Sequence, residues 1–253
     1  MESVAAVSDT RTPPRLGGVV VVIPTFNEAE SIAAVVAEIP RVVVDRVIVV
    51  DGGSSDDTCD AARVAGAEVI AVDRGYGLAC LAGAQSAAEG DIVVFMDGDG
   101  ADDPAAIAAL VAPIRAGTAD FVIASRARGA REPGSMASHQ IIAGRVAGAL
   151  TRLLYGVRYT DMCALRAIRR DTLLALNMRE MTYGWNLEMQ MRAARSRLRI
   201  LEIPVDYHRR IGGRSKVAGS LSGSVKAAVR IITAFARVAI SERRSRQVAR
   251  RGA

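Results

Sequence analysis

Cysteine is scarce in this chain: Cys59, Cys80 and Cys163 are scattered through 253 residues with no CxxC pair. That argues against a disulfide framework or a structural zinc site and suits a reducing compartment. The two histidines, His139 and His208, lie far apart and have no partner serine or cysteine motif, so nothing supports nucleophilic triad chemistry. Aromatic residues are only 4% of the chain, while Ala, Val, Ile and Gly dominate, a composition suited to closely packed parallel strands and helices. No stretch of about 18 uncharged apolar residues is present, so no transmembrane helix is predicted. The opening "MESVAAVSDTRTPPRLGG" lacks the charged start and apolar run of a signal peptide and reads as a flexible tail over residues 1–17.

Half of the residues are hydrophobic, enough for a substantial core and against general disorder. The net charge of +6 is unevenly distributed: from Arg209 onward twelve basic residues face one acid, Glu242, giving +11 and leaving −5 for the first 208 residues. Nucleic acid is a poor partner for this basic end, which has one aromatic, Phe235, and no recognisable binding motif. Phosphate or an anionic lipid surface fits better.

The first hundred residues alternate apolar runs with segments of helical spacing. "GVVVVIPTF", "VDRVIVVD", "EVIAV" and "DIVVFMD" read as buried strands, separated by "NEAESIAAVVAEI", "TCDAARVAGA" and "GYGLACLAGAQSAAEG". This predicts an α/β fold with a doubly wound, mostly parallel, Rossmann-like sheet in a single domain over 18–216. The second half is less regular, with strands expected at "ADFVIASRA", "CALRAIRR" and "LRILEIPVDYHRR" and helices between them. A helix over 217–241 and a basic tail over 242–253 complete the chain.

Ligands of such sheets bind beyond the carboxyl ends of the strands. All four strands of the first half end in acids, amides or glycines there. "FMDGDGADDP" places Asp97, Asp99, Asp102 and Asp103 within seven positions, although two like charges at ~4 Å repel by roughly 4 kcal/mol at an effective dielectric of ~20. Asp103 before Pro104 makes a helix N-cap, and Asp102 favours the same helix end. Asp97 and Asp99 are left over, and a hard divalent cation shared with nucleotide phosphates would balance them.

Asp51 sits at the second strand end, where a carboxylate can accept hydrogen bonds from a base or ribose, while Asp56 caps the next helix. Asn27 and Glu28 lie beside it in "PTFNEAES"; Glu28 can equally favour its helix N-terminus. "DRGYGLACLAG" is not a P-loop. Gly75 and Gly77 let the backbone approach a ligand, Arg74 can reach phosphate or base, and Gly83 suits close helix packing. "YHRRIGGRSK" concentrates Arg209, Arg210, Arg214 and Lys216 on a glycine-containing loop able to fold over an anion. Trp185 reads as a packing residue, and Glu188 as a helix acid or a site acid.

The stretches "VVIPTFNEAESI", "VIVVDGGSSDDT", "GDIVVFMDGDGADDP", "YTDMCALRAIRR", "YGWNLEMQMRAA" and "EIPVDYHRRIGGRSK" run in family order over roughly residues 19–217. Together they resemble the family 2 inverting glycosyltransferases with a GT-A fold, particularly the dolichyl- or polyprenyl-phosphate sugar synthases. The resemblance implies that Pro24, Thr25, Asn27, Glu28, Asp51 and Arg74 hold a nucleotide sugar, with UDP or GDP as its nucleotide. It implies that Asp97 and Asp99 hold Mg²⁺ or Mn²⁺ on the diphosphate, Asp99 acting in catalysis. Arg210, Arg214 and Lys216 would close over the phosphates, and Ser125 and Arg126 would contact the acceptor phosphate. Glu188 falls where hydroxyl-acceptor relatives carry a catalytic acid. The implied partner is a polyprenyl phosphate at the cytoplasmic face of a membrane; a small hydroxyl acceptor and a non-catalytic nucleotide-sugar subunit are the alternatives. By their charge, the amphipathic helix and basic tail at the C-terminus suit an anionic lipid surface, and equally a helix packed on the domain with a solvated tail. Two departures stand out: Ala101 replaces a Gln that is often a metal ligand, and the transmembrane helices that some relatives carry after the catalytic domain are absent from the pattern.

Overall fold

The structure, a computed structural model, describes residues 17–136 and 138–212. All but the last residue of the expected 1–17 tail, Arg214, Lys216, the 217–241 helix and the basic tail lie outside the described residues. Four strands form first: β1 (Val19–Thr25), β2 (Arg46–Asp51), β3 (Glu68–Ala71) and β4 (Ile92–Phe95). They are joined by α1 (Ile32–Glu38), α2 (Thr58–Val64) and α3 (Tyr76–Ser86). After β4, a 3₁₀ turn at Pro104–Ala106 leads into α4 (Ile107–Arg115). β5 (Phe121–Ser125), α5 (Ser138–Tyr155), β6 (Arg166–Arg169), α6 (Arg170–Ala175), α7 (Trp185–Arg195) and β7 (Ile200–Pro204) follow.

The seven strands make one sheet in the order β3-β2-β1-β4-β6-β5-β7. Every neighbouring pair is parallel except those of β6, which runs antiparallel to both β4 and β5. The central strands are apolar along their whole length because both faces are covered: Val19 through Ile23 and Val47 through Val50 are all buried. α3 lies directly on β1 and β2 at Gly83, where a Cβ would sit 2.4 Å from Val22 Cγ1 and 3.1 Å from Val50 Cγ2. A side chain there has no room, which is the packing role its small-residue helix suggests.

Parallel register brings the strand ends level. Thr25 pairs with Asp51 across β1 and β2, and Asp51 pairs with Ala71 across β2 and β3. The polar segments after β1, β2 and β4 therefore meet at one end of the sheet. On the far half, α5 packs on α7 through a smaller apolar cluster of Ala147, Leu187 and Met191. No helix among the described residues is long and apolar enough to cross a membrane.

Candidate active site

The ends of β1 and β2 are laced together. Asp51, almost fully buried, accepts from the Gly53 and Ser54 N–H groups at 3.0 and 2.8 Å, and from the Ser54 hydroxyl and Thr25 Oγ1. Asn27 stands in the left-handed region at φ 53°, and its Oδ1 accepts from the Ser55 N–H at 2.9 Å. The Glu28 N–H donates to Thr58 Oγ1, while Asp56 accepts from the N–H of Thr58, the first residue of α2. The Arg74 guanidinium lies over the Phe26 ring, 4.0 Å from its centroid. Arg74, Phe26, Asn27 and Asp51 thus belong to one rim; Pro24, half-buried, completes the turn from β1.

The acids after β4 separate by environment. Asp103 does cap the following turn, accepting from the Ala105 N–H at 2.9 Å ahead of Pro104. Asp102 does not share that task. It is buried, its Oδ2 accepts the Asp97 N–H at 3.2 Å, and Cys163 Sγ lies 3.7 Å from its Oδ1. The Asp102 backbone forms an isolated antiparallel bridge with Tyr207. Burial, with Asp99 beside it, pushes its carboxyl up to about 6. Asp97 rises further, to about 8, by burial and then by the charges of Asp99 and Asp102, although the Tyr76 hydroxyl donates to it at 3.3 Å.

Asp99 holds this loop to a strap formed by residues after β7. Its Oδ1 accepts the Ala101 N–H, and its Oδ2 accepts from Arg210 Nε and Nη2 at 3.1 and 2.7 Å. Arg210 Nη2 also lies 3.6 Å from Glu28 Oε1, and its Nη1 is buried with no hydrogen-bond partner among the described residues. The His208 N–H donates to the Ala101 carbonyl and the Ile211 N–H to that of Asp99, so the strap crosses the acid loop as backbone. Among the described residues no three His, Cys, Asp or Glu side chains converge on a point able to hold an ion. A hard cation on Asp99 and Asp97 would therefore take one or two carboxylates and draw its other oxygens from elsewhere, the usual pattern for Mg²⁺ or Mn²⁺ on a nucleotide.

At the end of β5, Ser125 is fully buried and its hydroxyl shares a 2.7 Å hydrogen bond with Thr160, which Glu202 holds from the other side. Arg126 makes a bidentate pair with Asp161, Nε to Oδ2 and Nη2 to Oδ1 both at 2.8 Å, and lies over the Tyr207 ring at 4.9 Å. Asp161 is a functional candidate that sequence reasoning missed. Its signal was the acid in "YTDM", which has no helix to cap there. Tyr76, Thr160 and Tyr207 were missed too, being ordinary residues without local pattern.

Glu188 lies in the first turn of α7, buried. Its Oε2 accepts the Arg179 and Glu180 N–H groups at 3.0 and 2.7 Å, and its Oε1 accepts from Arg192 Nε at 2.7 Å. Both oxygens are thus engaged, Oε2 in holding the 179–181 segment and Oε1 in pairing with Arg192. That segment runs against Gly75 and Gly77, where added Cβ atoms would meet the Met181 and Glu180 carbonyls at 2.7 and 2.3 Å. Those glycines admit the chain's own backbone, not the ligand anticipated from sequence. Trp185 is buried with its ring edge-on to Phe95, a packing residue as expected.

The comparison with known proteins gives these positions a context. A family model, Glycosyl transferase family 2, matches residues 20–176. An uncharacterized glycosyltransferase of Mycobacterium tuberculosis (strain ATCC 25618 / H37Rv) is 39% identical over 212 residues, covering 82% of this chain and 93% of the relative. An undecaprenyl-phosphate mannosyltransferase of Micrococcus luteus is 35% identical over 225 residues, covering 81% and 89%. Among solved structures, glucosyl-3-phosphoglycerate synthase from Mycobacterium tuberculosis in complex with Mn²⁺ and uridine-diphosphate-glucose superposes with a TM-score of 0.67 at 24% identity, over 86% of this chain and 79% of that one.

Proposed function

The chain belongs to glycosyl transferase family 2 and is a glycosyltransferase of GT-A fold, and from that premise we propose that it moves a sugar from a nucleoside-diphosphate donor onto a polyprenyl phosphate. The observation that carries this reading is the pairing of two unlike charged sites at one end of the sheet. One is the acid loop of Asp97 and Asp99 with Arg210 upon it, and the other is Arg126 locked on Asp161. The first suits a cation and a diphosphate, the second a phosphate acceptor. The Micrococcus luteus relative, named for undecaprenyl phosphate, supports the second.

On this reading Pro24, Thr25, Asn27, Glu28, Asp51 and Arg74 receive the nucleoside, with the Phe26–Arg74 pair as the flat face against which a base stacks. Asp97 and Asp99 hold Mg²⁺ or Mn²⁺, which when bound neutralises charge on the leaving diphosphate. Arg210 moves from Asp99 to the phosphates; its unpartnered Nη1 is a donor ready for them. Arg214 and Lys216, four and six positions further on, join it. Negative charge builds on the leaving phosphate as the anomeric bond breaks, and cations brought to it stabilise that charge. The pair with Asp161 takes Nε and Nη2 of Arg126 and leaves Nη1 to bind the acceptor, with Ser125 behind it. A phosphate acceptor is already an anion and needs no strong base, so Glu188 serves by holding the 179–181 segment. The catalytic unit is 18–216, working on the inner face of a membrane.

The test is transfer itself. Full-length protein is incubated with Mn²⁺ or Mg²⁺, polyprenyl phosphate and labelled UDP- and GDP-sugars, then extracted into organic solvent. Label in the lipid phase, lost in Asp99→Asn, is the expected result and names the donor. Transfer only to a water-soluble hydroxyl compound, lost in Glu188→Gln, would replace the lipid phosphate with a hydroxyl acceptor.

A further inference from the structure

The outer face of α5 carries two features that catalysis does not use. Ile142, Val146, Ala149 and Leu153 follow at spacings of four, three and four, one stripe of a helix, and Ile142, Val146 and Leu153 are 60%, 46% and 80% exposed. Arg145 and Arg152, seven positions apart, flank one side of that stripe. Together with Arg128 and Arg158 they line a groove of about 870 Å³ floored by Ala127, Tyr159 and Thr160. The groove begins one residue beyond Arg126, and its Thr160 is the hydroxyl bonded to Ser125. From Pro133 to Thr160 the sequence contains no acid. The two carboxylates beside the floor are both engaged, Glu202 by the Thr160 N–H and hydroxyl and Asp161 by Arg126 and the Met162 N–H.

A bare apolar stripe beside four arginines has to be matched by something apolar and anionic. A second copy of the same face would set arginines against arginines. The chain's own residues 217–253 carry eight basic residues and one acid, so they too would repel it. A bilayer of acidic phospholipid satisfies both features, with acyl boundary for the stripe and phosphate headgroups for the groove.

The geometry points to α5 as the surface by which this protein docks on an anionic bilayer, the stripe entering the headgroup boundary and the arginine groove taking lipid phosphates. The choice of a bilayer over an acidic protein rests on the lipid-phosphate reading above. Docked this way, the groove delivers a phosphate emerging from the membrane to the end of β5, next to Ser125 and Arg126. The membrane contact expected from the basic C-terminus is then an addition to this face, not a substitute for it.

The experiment is sedimentation of the full chain with vesicles of phosphatidylcholine alone or mixed with phosphatidylglycerol, without donor or acceptor. Wild type is expected to pellet with the mixed vesicles. Arg145→Glu with Arg152→Glu lowers the partition at least about tenfold, each basic residue at such a surface being worth roughly fivefold. Leu153→Trp adds a local reporter, since Trp185 is buried and does not respond to lipid. Its emission shifts to the blue on mixed vesicles. Failure of wild type to pellet overturns the proposal and leaves an acidic protein as the occupant. Undiminished pelleting of the double variant, or no blue shift, overturns it in favour of the C-terminus. A concentration-dependent dimer abolished by Leu153→Glu overturns it in favour of a second copy. Turnover of a short, water-soluble prenyl phosphate is measured in parallel. If it persists while docking fails, the transferase reading stands and only the docking surface falls.

Discussion

Asp161→Asn is the sharpest perturbation of the acceptor side, because the native carboxylate is saturated with donors. Its Oδ2 receives the Arg126 N–H and Nε, and its Oδ1 receives Arg126 Nη2 and the Met162 N–H, at 3.0, 2.8, 2.8 and 2.7 Å. An amide of the same shape must turn its NH₂ toward two of those four donors, whichever way it flips. The side chains are 13% and 1% exposed, so water replaces little. Hydrogen bonds to charged groups are worth about 1.5–3 kcal/mol, and breaking a buried pair from one side costs about 3–5. Arg126 keeps only the Tyr207 ring as partial compensation. A loss of about 3–4 kcal/mol follows, or roughly 10 °C in Tm at the 2–4 °C per kcal/mol of a chain this size. Urea unfolding followed by Trp185 fluorescence measures it. The double variant Arg126→Met with Asp161→Asn removes the stranded guanidinium and recovers about half of the loss, so that with the Arg126→Met single variant the cycle gives a coupling of at least about 2 kcal/mol. In the folded enzyme, KM for polyprenyl phosphate rises about tenfold, equivalent to ~1.4 kcal/mol, with KM for the donor unchanged. A single variant within 1 kcal/mol of wild type, or coupling below about 0.5 kcal/mol, would refute the claim that this pair is dry and positions Arg126.

Three further substitutions separate the remaining roles. Arg210→Ala lowers kcat about a hundredfold by removing a donor from the developing charge, and Arg210→Lys recovers little of it because the fork is lost; nucleoside diphosphate release reports both. Glu188→Gln lowers stability by about 2–3 kcal/mol through its lost pair with Arg192 and leaves kcat within tenfold. A thousandfold fall in kcat at unchanged stability would instead make Glu188 the base for a hydroxyl acceptor. Gly83→Ala forces a Cβ to within 2.4 Å of Val22 Cγ1; overpacking of about 1–3 kcal/mol outweighs the ~1 kcal/mol gained in helix propensity, and urea midpoints of the variant decide the sign.

The parallel half was legible because buried strands announce themselves as unbroken apolar runs, and alternation with helices fixes their common direction. The antiparallel setting of β6 was not. Arg166 through Ile168 are buried on both faces, and a strand covered on both sides carries no mark of its direction. Local rules also misjudged Asp102. Beside Pro104 it looks like a second capping residue, but its partners are Asp97 and Tyr207, the latter far along the chain. The role of Asp161 was hidden for the same reason: the acid in "YTDM" stands out locally, but its meaning lies in Arg126, 35 positions away. Conversely, the four polar strand ends were readable as a group, because a parallel sheet delivers all of them to one edge whatever follows.

Crowding four aspartates after β4 then has a thermodynamic consequence that can be measured. Asp103 caps a helix turn and Asp99 pairs with Arg210, but Asp97 and Asp102 are pushed up to about 8 and 6 by burial and the neighbouring carboxylates. A ligand that brings positive charge relieves this only in the folded state, so it raises stability by mass action. Among the described residues no three such ligands converge, so a divalent ion by itself should be held weakly; with a nucleoside diphosphate it would gain the phosphate oxygens and bind as a complex. At about a hundred times Kd the complex adds ~2.7 kcal/mol, which at 2–4 °C per kcal/mol is a rise of about 5–10 °C in Tm. Mn²⁺ alone and nucleotide alone should each move Tm by much less than the pair, and Asp99→Asn should remove the excess. An equal rise with Mn²⁺ alone would show a self-sufficient metal site and sink this account of why the acids stand together.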